Sequence, residues 1–130
     1  MLSHKASAFN VAGTGFGLEA MTTLPLFHNH GHACFYRAIH SGKKLSLFPT
    51  EIPLTTNNII AAIENAQGVQ GFYVVPYVLK LLAESPAGIE LLKGFELVTY
   101  GGAACPDELG DRLVKENGVK LVEHYGLTEV

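Results

Sequence analysis

An aromatic ring, a hydroxyl and a carboxylate stand together in the run Tyr125-Gly126-Leu127-Thr128-Glu129 of this 130-residue chain. An aromatic ring can stack on a nucleotide base, a threonine hydroxyl can donate to a phosphate, and a glutamate can hold a hard cation such as Mg²⁺. A polar surface loop has the same composition, and the residue types alone do not separate the two. We predict nucleotide binding by Tyr125, Gly126 and Thr128, metal binding by Glu129, and catalytic roles for Thr128 and Glu129.

A second candidate is the small-residue run Gly101-Gly102-Ala103-Ala104, between an apolar stretch and a predicted helix. Residues without bulky side chains let a flat ring or a phosphate approach the backbone, and amides at a helix start can face an anion. An ordinary tight strand-to-helix turn is the alternative, and a glycine pair alone does not exclude it. Gly101, Gly102 and Ala103 are the predicted binding residues here.

Three histidines alternate in the run His28-Asn29-His30-Gly31-His32. Alternate positions share one face of a strand, and imidazole is a common ligand of transition metals. No Cys, Asp or Glu within the run completes a metal site, so a polar loop facing a substrate is favoured over a metal cluster. His28 is the first candidate because it directly follows the first predicted strand.

Two further features are given structural interpretations. The run Gly13-Thr14-Gly15-Phe16-Gly17 lacks the Gly-x-Gly-x-x-Gly spacing and follows no predicted strand, so it is interpreted as a flexible connector. Cys105 precedes a helix start, where the pKa of a thiol can fall, but no general base is paired with it in the sequence. A nucleophilic role for Cys105 is therefore not favoured.

The composition narrows the class of protein. Hydrophobic residues make up 48% of the chain and charged residues 16%, which favours a packed core over disorder. The net charge of −3 gives no support for a nucleic-acid partner. No apolar run reaches the roughly 18–20 residues that span a bilayer, and the first residues lack the apolar core of a signal peptide. With only two cysteines, at no metal or redox spacing, we expect a cytoplasmic protein without a membrane partner.

Short apolar stretches alternate with helical patterns, which indicates an α/β fold with a doubly wound, mostly parallel sheet and flanking helices. The carboxyl ends of such strands meet at one edge, where ligands bind, so residues 28–32, 101–104 and 125–129 should converge there. The strands are predicted at residues 21–27, 45–48, 72–75, 97–100 and 121–124. The helices are predicted at 31–40, from a cap at Thr55 or Thr56 to Gly68, from Pro76, at 88–92, and from Pro106 to Gly118.

These residues resemble the adenylate-forming superfamily, which contains acyl-CoA synthetases, luciferases and the adenylation domains of peptide synthetases. The resemblance covers essentially the whole chain, and four motifs agree in order and spacing. They are Leu24-Pro25-Leu26-Phe27-His28 with Gly31, Val75-Pro76, Tyr100-Gly101-Gly102-Ala103, and Tyr125-Gly126-Leu127-Thr128-Glu129. Within the superfamily, the chain is most similar to the adenylation domain of fungal synthetase-like carboxylic acid reductases, through residues 26–32, 76–84 and 101–106.

The resemblance implies that a carboxylic acid and ATP form an acyl-adenylate and pyrophosphate, with Mg²⁺ as the metal. The acyl group then passes to a thiol, either phosphopantetheine on a carrier domain or CoA. The implied site has two parts. For the nucleotide, the implied lining of the adenine and acyl pocket is Gly101, Gly102 and Ala103. Tyr125 stacks on adenine, Thr128 contacts phosphate and Glu129 binds Mg²⁺. For the acid, His28 walls the carboxylate region, and Phe72, Pro76 and Gly102 line the acyl side.

The family also has a phosphate loop that ends in lysine and a mobile C-terminal domain with a catalytic lysine, and the chain lacks both. Ser3-His4-Lys5 resembles the segment that follows the loop. Residues 1–130 are therefore expected to be a partial AMP-binding domain that is inactive alone and partners the remaining parts of the domain. Exposed sheet edges are expected to favour self-association. The alternatives are a non-catalytic interaction module that keeps the fold, and an unrelated flavodoxin-like nucleotide-binding domain.

Overall fold

The computed structural model describes residues 18–124, except for the side chains of Asn29 and His124. The candidate site residues 125–129, the connector 13–17 and Ser3-His4-Lys5 lie outside this range. Within it, the strands are β1 (Ala20–Thr22), β2 (Leu45–Leu47), β3 (Gly71–Val74), β4 (Leu97–Gly101) and β5 (Leu121–His124). All neighbours in this part of the chain pair in parallel, in the order β2-β1-β3-β4-β5. The predicted parallel α/β class is therefore confirmed.

Helices connect the strands, and most begin at residues that favour a helix start. Thr55 and Ser85 cap their helices by accepting the backbone N–H of Asn58 and Gly88, at 3.2 Å and 3.1 Å. Pro76 and Pro86 occupy first helical positions, where a missing N–H costs nothing. The helices are α1 (Asn29–Ser41), α2 (Thr56–Ala66), α3 (Pro76–Ala83), α4 (Pro86–Lys93) and α5 (Asp107–Asp111).

The first strand is shorter than the prediction of 21–27, because the chain turns away directly after Thr22. The Thr22 hydroxyl donates to the backbone oxygen of Tyr73 at 2.9 Å and accepts the N–H of Leu24 at 3.0 Å. Pro25 then has no N–H to continue a ladder. The expectation that His28 directly follows the strand is therefore wrong. Helix α1 begins at Asn29, earlier than the predicted 31, so most of the expected polar loop 28–32 is helical.

The main core lies on one face of the sheet, beneath α2 to α5. Met21, Phe72 and Val98 are register partners, so their side chains form one row on this face. The Phe72 ring is fully buried and stacks on Phe95 with ring centres 5.0 Å apart. The row packs against apolar side chains from the helices and their ends: Ile59, Val78, Leu79, Leu82, Ala83, Leu92, Phe95, Leu113 and Val119.

Helix α1 covers part of the opposite face. Tyr73 alternates with Phe72 and Val74 along β3, so its side chain lies on the other side of the sheet. Cys34 and Arg37 of α1 are close enough to Tyr73 to change the pKa of its phenol. The sheet is therefore flanked by helices on both faces, as a doubly wound fold requires.

The helix after β4 changes its winding midway. Helix α5 passes into a π turn at Arg112–Glu116, and Leu113 in this turn is fully buried. The Arg112 guanidinium donates to the backbone oxygen of Ala83, which satisfies a carbonyl at the end of α3. Val114, which the helical period places on the apolar face with Leu113, is exposed. The wider turn thus exchanges one apolar contact for an anchor between α5 and α3.

Strands β2 and β5 are the outer strands of the sheet in the described range. Self-association through sheet edges stays a prediction. Between residues 18 and 124, no helix is both long enough and apolar enough to cross a membrane.

Replacing Gly88 by alanine should destabilise the fold. A methyl group at Gly88 would overlap the backbone oxygen of Leu82 and lie 2.7 Å from its carbonyl carbon, where backbone must shift to make room. We expect Gly88→Ala to lower the free energy of unfolding by about 2–3 kcal/mol, measured by urea denaturation.

Gly110→Ala is the matched control, because nothing lies within 4 Å of its added methyl group. Gly110 is helical, so alanine there should raise the free energy of unfolding by about 0.5–1 kcal/mol. Equal effects of the two substitutions would contradict the proposed backbone contact at Gly88.

Candidate functional site

The ends of four neighbouring strands define the candidate site, which we call the carboxyl edge. Strands β1, β3, β4 and β5 run parallel and end at this edge, where Thr22 pairs with Tyr73, Val74 with Tyr100 and Gly101 with His124. Strand order reverses between β1 and β3, and ligands of doubly wound sheets bind outside the carboxyl ends at such a point. The structure thus brings the predicted segments at His28 and at Gly101 to Ala103 to one edge, together with Pro76. The third segment predicted to converge there, residues 125–129, lies outside the described residues.

His28 lies beyond the end of β1, at the start of α1. Its Nδ1 accepts the backbone N–H of His30 at 3.3 Å, so the imidazole is the cap of the helix. Its backbone N–H donates to Pro25 at 3.1 Å and its carbonyl accepts from His32 at 2.9 Å. The side chain is exposed. Three hydrogen bonds therefore hold an exposed imidazole at the carboxyl edge.

The histidine run does not form the arrangement that a shared metal ion needs. On a helix, residues two apart point in different directions, whereas on a strand they would share a face. Among residues 18–124, no three His, Cys, Asp or Glu side chains are grouped closely enough to hold a metal ion. A non-metal role of His28, His30 and His32 stays a prediction.

The centre of the edge is apolar. Val75 follows β3 and precedes α3, and Pro76 is buried in the first turn of that helix. The side chain of Tyr77, next along α3, is exposed. Phe72 lies deeper, enclosed by the core and stacked on Phe95, so its role in lining an acyl tunnel stays a prediction.

The glycine turn after β4 leaves its backbone open. Gly102 has φ +88°, a conformation that L side chains rarely adopt. It is exposed, and a methyl group there would lie 3.8 Å from Cγ1 of Val75. Ala103 is exposed as well, whereas Gly101 is buried. A flat group can therefore approach the backbone of Gly102 beside Val75 without meeting a side chain from the turn itself.

Two carboxylates at the start of α5 indicate whether the glycine turn after β4 suits a flat ring or a phosphate. Asp107 and Glu108 occupy the first helical turn, where the dipole stabilises them. Their negative charges would repel a phosphate at the same amides. The turn at Gly102 is therefore better suited to an uncharged flat ring than to an anion.

Glu123 at the same edge is coupled to Tyr100 and Cys105, which was not predicted from the sequence. Tyr100 and Glu123 are register partners on β4 and β5. Burial raises the pKa of the Tyr100 phenol, and the nearby Glu123, Cys105 and Asp107 raise it further. Burial also raises the pKa of the Cys105 thiol, with Glu123 and Asp107 adding to it. The Tyr100 phenol and the Cys105 thiol are therefore neutral at pH 7. The alternation of residues along β4 and β5 was the only sequence signal that could have paired Tyr100 with Glu123.

The buried hydroxyl of the half-buried Thr23 was likewise not predicted from the sequence. The Thr23 hydroxyl, directly after β1, is buried and has no hydrogen-bond partner in the structure. No sequence signal separates it from Thr22, whose hydroxyl is fully used. It adds one polar group with unused bonding capacity to the β1 end of the carboxyl edge.

On the opposite face of the sheet, burial holds two groups in their neutral forms. Burial raises the pKa of Cys34 to about 11, although the positive charge of Arg37 lowers it in part. Burial, and then Cys34, raise the pKa of Tyr73 to about 12. Since the thiolate is the reactive form of cysteine, Cys34 is a structural residue and not a nucleophile.

Comparison with known proteins identifies relatives over most of the chain. A family model described as AMP-binding enzyme matches residues 1–130. A carboxylic acid reductase of Neurospora crassa is 34% identical over 110 residues, which cover 84% of this chain and 10% of the reductase. An adenylate-forming reductase of Stachybotrys bisbyi is 29% identical over 136 residues, covering 98% of this chain and 12% of that protein. These relatives confirm the resemblance predicted from the four motifs.

Solved structures agree on the fold. This chain is similar to a malonyl-CoA ligase whose structure is a ternary product complex with methylmalonyl-CoA and AMP bound. The TM-score is 0.74 and the sequence identity is 22%, and the match covers 99% of this chain and 29% of the ligase. This likeness supports the architecture alone. The chain spans about a tenth of the length of the curated relatives it matches.

The pKa of Cys105 predicts how its reactivity responds to neighbouring charge. Because Glu123 raises the pKa of the thiol, Glu123→Gln should lower it and increase the thiolate fraction. We expect alkylation of Cys105 by iodoacetamide at pH 8 to become about twofold faster, a modest change because the carboxylate is exposed. Mass spectrometry of the labelled cysteines measures both thiols, and Cys34 should react only on unfolding.

Glu108→Gln is the control, because Glu108 is close in sequence but does not affect the pKa of Cys105. An equal acceleration in both variants would show that general surface charge sets the rate and would contradict the local effect of Glu123.

Proposed function

The chain belongs to the AMP-binding enzyme family, and from this we propose that it is part of an enzyme that activates a carboxylic acid with ATP. The products are an acyl-adenylate and pyrophosphate. The observation that carries the proposal is the convergence of the His28, Val75-Pro76 and Gly101-Gly102-Ala103 motifs at the carboxyl edge. Relatives named as an adenylate-forming reductase and a carboxylic acid reductase support this reaction class.

We assign the nucleotide half of the site to the turn after β4 and to residues 125–129. The open, exposed backbone at Gly102, where an added methyl group would lie 3.8 Å from Cγ1 of Val75, fits a flat ring such as adenine. Gly101 and Ala103 complete that wall. In this proposal Tyr125 stacks on the base beside Gly126. Thr128 contacts a phosphate oxygen, and Glu129 supplies a carboxylate for Mg²⁺.

The acid half of the site lies at the ends of β1 and β3. His28 is placed to contact the carboxylate, and Pro76, Phe72 and Gly102 are assigned to the acyl side. The apolar character of Val75 and Pro76, with exposed rings at Phe27 and Tyr77, supports an aromatic or otherwise apolar acid. The acyl acceptor in this proposal is a thiol, either phosphopantetheine on a carrier domain or CoA.

The reaction needs charge stabilisation more than a protein nucleophile. A carboxylate oxygen attacks the α-phosphorus of ATP, the bond to the pyrophosphate oxygen breaks, and pyrophosphate leaves. Negative charge on the α-phosphate grows during this displacement, so fixed donors lower the barrier. Mg²⁺, when bound, would neutralise part of that charge. Thr128 is proposed as a donor of this kind.

The strand order of this sheet is shared with flavodoxin-like domains. The match of the family model to residues 1–130 favours the adenylate-forming assignment over that alternative. Since the chain spans about a tenth of its curated relatives, other parts of the domain are proposed to supply the remaining groups. A cytoplasmic location is part of the same proposal.

Nucleotide binding to the purified chain tests the assignment of the nucleotide half. We expect calorimetry to detect AMP and Mg²⁺-ATP. Thr128→Ala should weaken both by about tenfold, because a hydrogen bond to a charged phosphate is lost. Glu129→Ala should weaken Mg²⁺-ATP and leave AMP measured without metal nearly unchanged, because its carboxylate acts through the cation.

Glu64→Ala is the matched control, because Glu64 is exposed and lies near the end of α2, which leads to the amino end of β3. This variant should bind as the wild type does. Absence of nucleotide binding by the folded wild type would mean that the chain keeps only the scaffold of the family, and the interaction-module alternative would then be favoured.

A further inference from the structure

Lys44, directly before the outer strand β2, makes hydrogen bonds to two separate parts of the chain. Its backbone N–H donates to the Glu19 carboxylate and its carbonyl accepts the N–H of Ala20 at 3.0 Å, which joins the starts of β2 and β1. Its ammonium donates to the carbonyls of Ala66 and Gln67, at 2.8 Å and 3.0 Å, at the end of α2. One side chain therefore ties the outer strand to the helix that leads into β3.

The backbone that Lys44 holds is strained. Among residues 18–124, Gln67 is the only residue other than glycine with a positive φ, at φ +53° and ψ 137°. Such a conformation is unfavourable for a residue with a side chain, and it persists only where the surroundings enforce it. The Ala66 and Gln67 carbonyls belong to the peptide groups on either side of the Gln67 Cα, so the ammonium fixes both dihedrals of this residue.

Helix α2 depends on Lys44 for a cation at its carboxyl end. The last turn of α2 contains no basic residue of its own, although a positive charge there complements the helix dipole. Helix α1, by contrast, has His40 in its last turn and ends on a backbone bond from Gly42 to Ile39. The Lys44 ammonium thus supplies the missing charge and two donors for the carbonyls at the end of α2.

The strand that Lys44 anchors is weak on its own. Strand β2 contains three residues, none of them buried, and β1 is its partner in the described sheet. Strand β1 is buried at all three positions, so the loss of β2 would leave unpaired backbone groups along it. An unpaired strand edge of this kind can pair with another chain.

We infer that Lys44 is a cationic lock, which keeps β2 paired with β1 by holding the strained turn at Gln67 against the end of α2. Opening of the lock releases β2 by local unfolding and exposes β1 to pairing with a second copy of the chain. The lock lies at the amino ends of the strands, opposite the carboxyl edge, and its function does not depend on the proposed reaction.

Hydrogen exchange measures the lock at single amides. The N–H groups of Ala20 and Phe48 bond across β1 and β2, to the carbonyls of Lys44 and Thr22 at 3.0 Å each. In Lys44→Gln, which stays polar but loses the charge, we expect both amides to exchange about tenfold faster than in the wild type. Their exchange should be nearly independent of urea below the unfolding transition, as for a local opening. A urea dependence equal to that of global unfolding would show that β2 does not open by itself, and would overturn the lock.

Two variants separate the lock from other effects of charge. Lys43→Gln is the matched control, because the exposed Lys43 ammonium makes no hydrogen bond or ion pair with the described part of the chain. Lys44→Arg keeps a cation that can donate to both carbonyls. Both variants should exchange within about twofold of the wild type. Equal acceleration in Lys43→Gln and Lys44→Gln, or none in Lys44→Gln, would contradict the inference.

Gln67→Gly tests the strained turn, because glycine adopts a positive φ readily. In the wild type this substitution should raise the melting temperature by about 2–4 °C. In Lys44→Gln, where the turn is free to relax, it should raise the melting temperature by less than about 1 °C. Equal gains in the two backgrounds would show that Lys44 does not hold the strained backbone.

Light scattering over a dilution series tests the exposed edge. At equal concentrations, Lys44→Gln should have a larger average mass than Lys43→Gln, and the excess should disappear on dilution. If Lys44→Gln exchanges faster but scatters as Lys43→Gln does, the lock is supported and the pairing of β1 with a second copy is overturned.

Discussion

Parallel pairing around β3 is the constraint on which the rest of the structure depends. The row Met21–Phe72–Val98 holds three strands in one register and supplies the apolar face that α2 to α5 cover. Because all the strands run in the same direction, every strand that is added to this row ends at the same edge. The convergence of distant motifs at the carboxyl edge is therefore a consequence of core packing, and it needs no direct contact between the motifs.

The residues directly after the strands decide what the edge offers to a ligand. Thr22 bonds across to Tyr73 and turns the chain towards α1, so that β1 delivers an imidazole. The apolar pair Val75-Pro76 follows β3, and Gly102, with positive φ and an open backbone, follows β4. The residues after these three neighbouring strands thus offer an imidazole, an apolar surface and a bare peptide face, which differ in chemistry although the strands that position them are equivalent.

Local sequence patterns were sufficient to predict most helices and strands. They were insufficient for features that depend on a residue distant in the sequence. Apolar runs, a capping threonine and Pro76 predicted the presence of all five strands and the starts of α2 and α3, because those signals act within a few residues. Helices α1 and α4 each begin two residues before the predicted start. The early end of β1 depends on the Thr22–Tyr73 hydrogen bond, and the π turn places Arg112 against Ala83. The charge coupling of Tyr100 with Glu123 likewise requires strand register. None of these partners is close in sequence.

The ionisable groups at the described edge favour binding over chemistry. The raised pKa values of Tyr100 and Cys105 keep both groups neutral, and the nearby Asp107 and Glu123 are negative. An α-phosphate that gains negative charge would be repelled by those carboxylates, so its stabilisation has to come from elsewhere. Residues 125–129, directly after β5, are well placed in the sequence to provide a hydroxyl and a metal ligand. In the proposed function, this edge orients a flat ring and an acid, and the charge compensation for the displacement is assigned to residues 125–129 and to other parts of the domain.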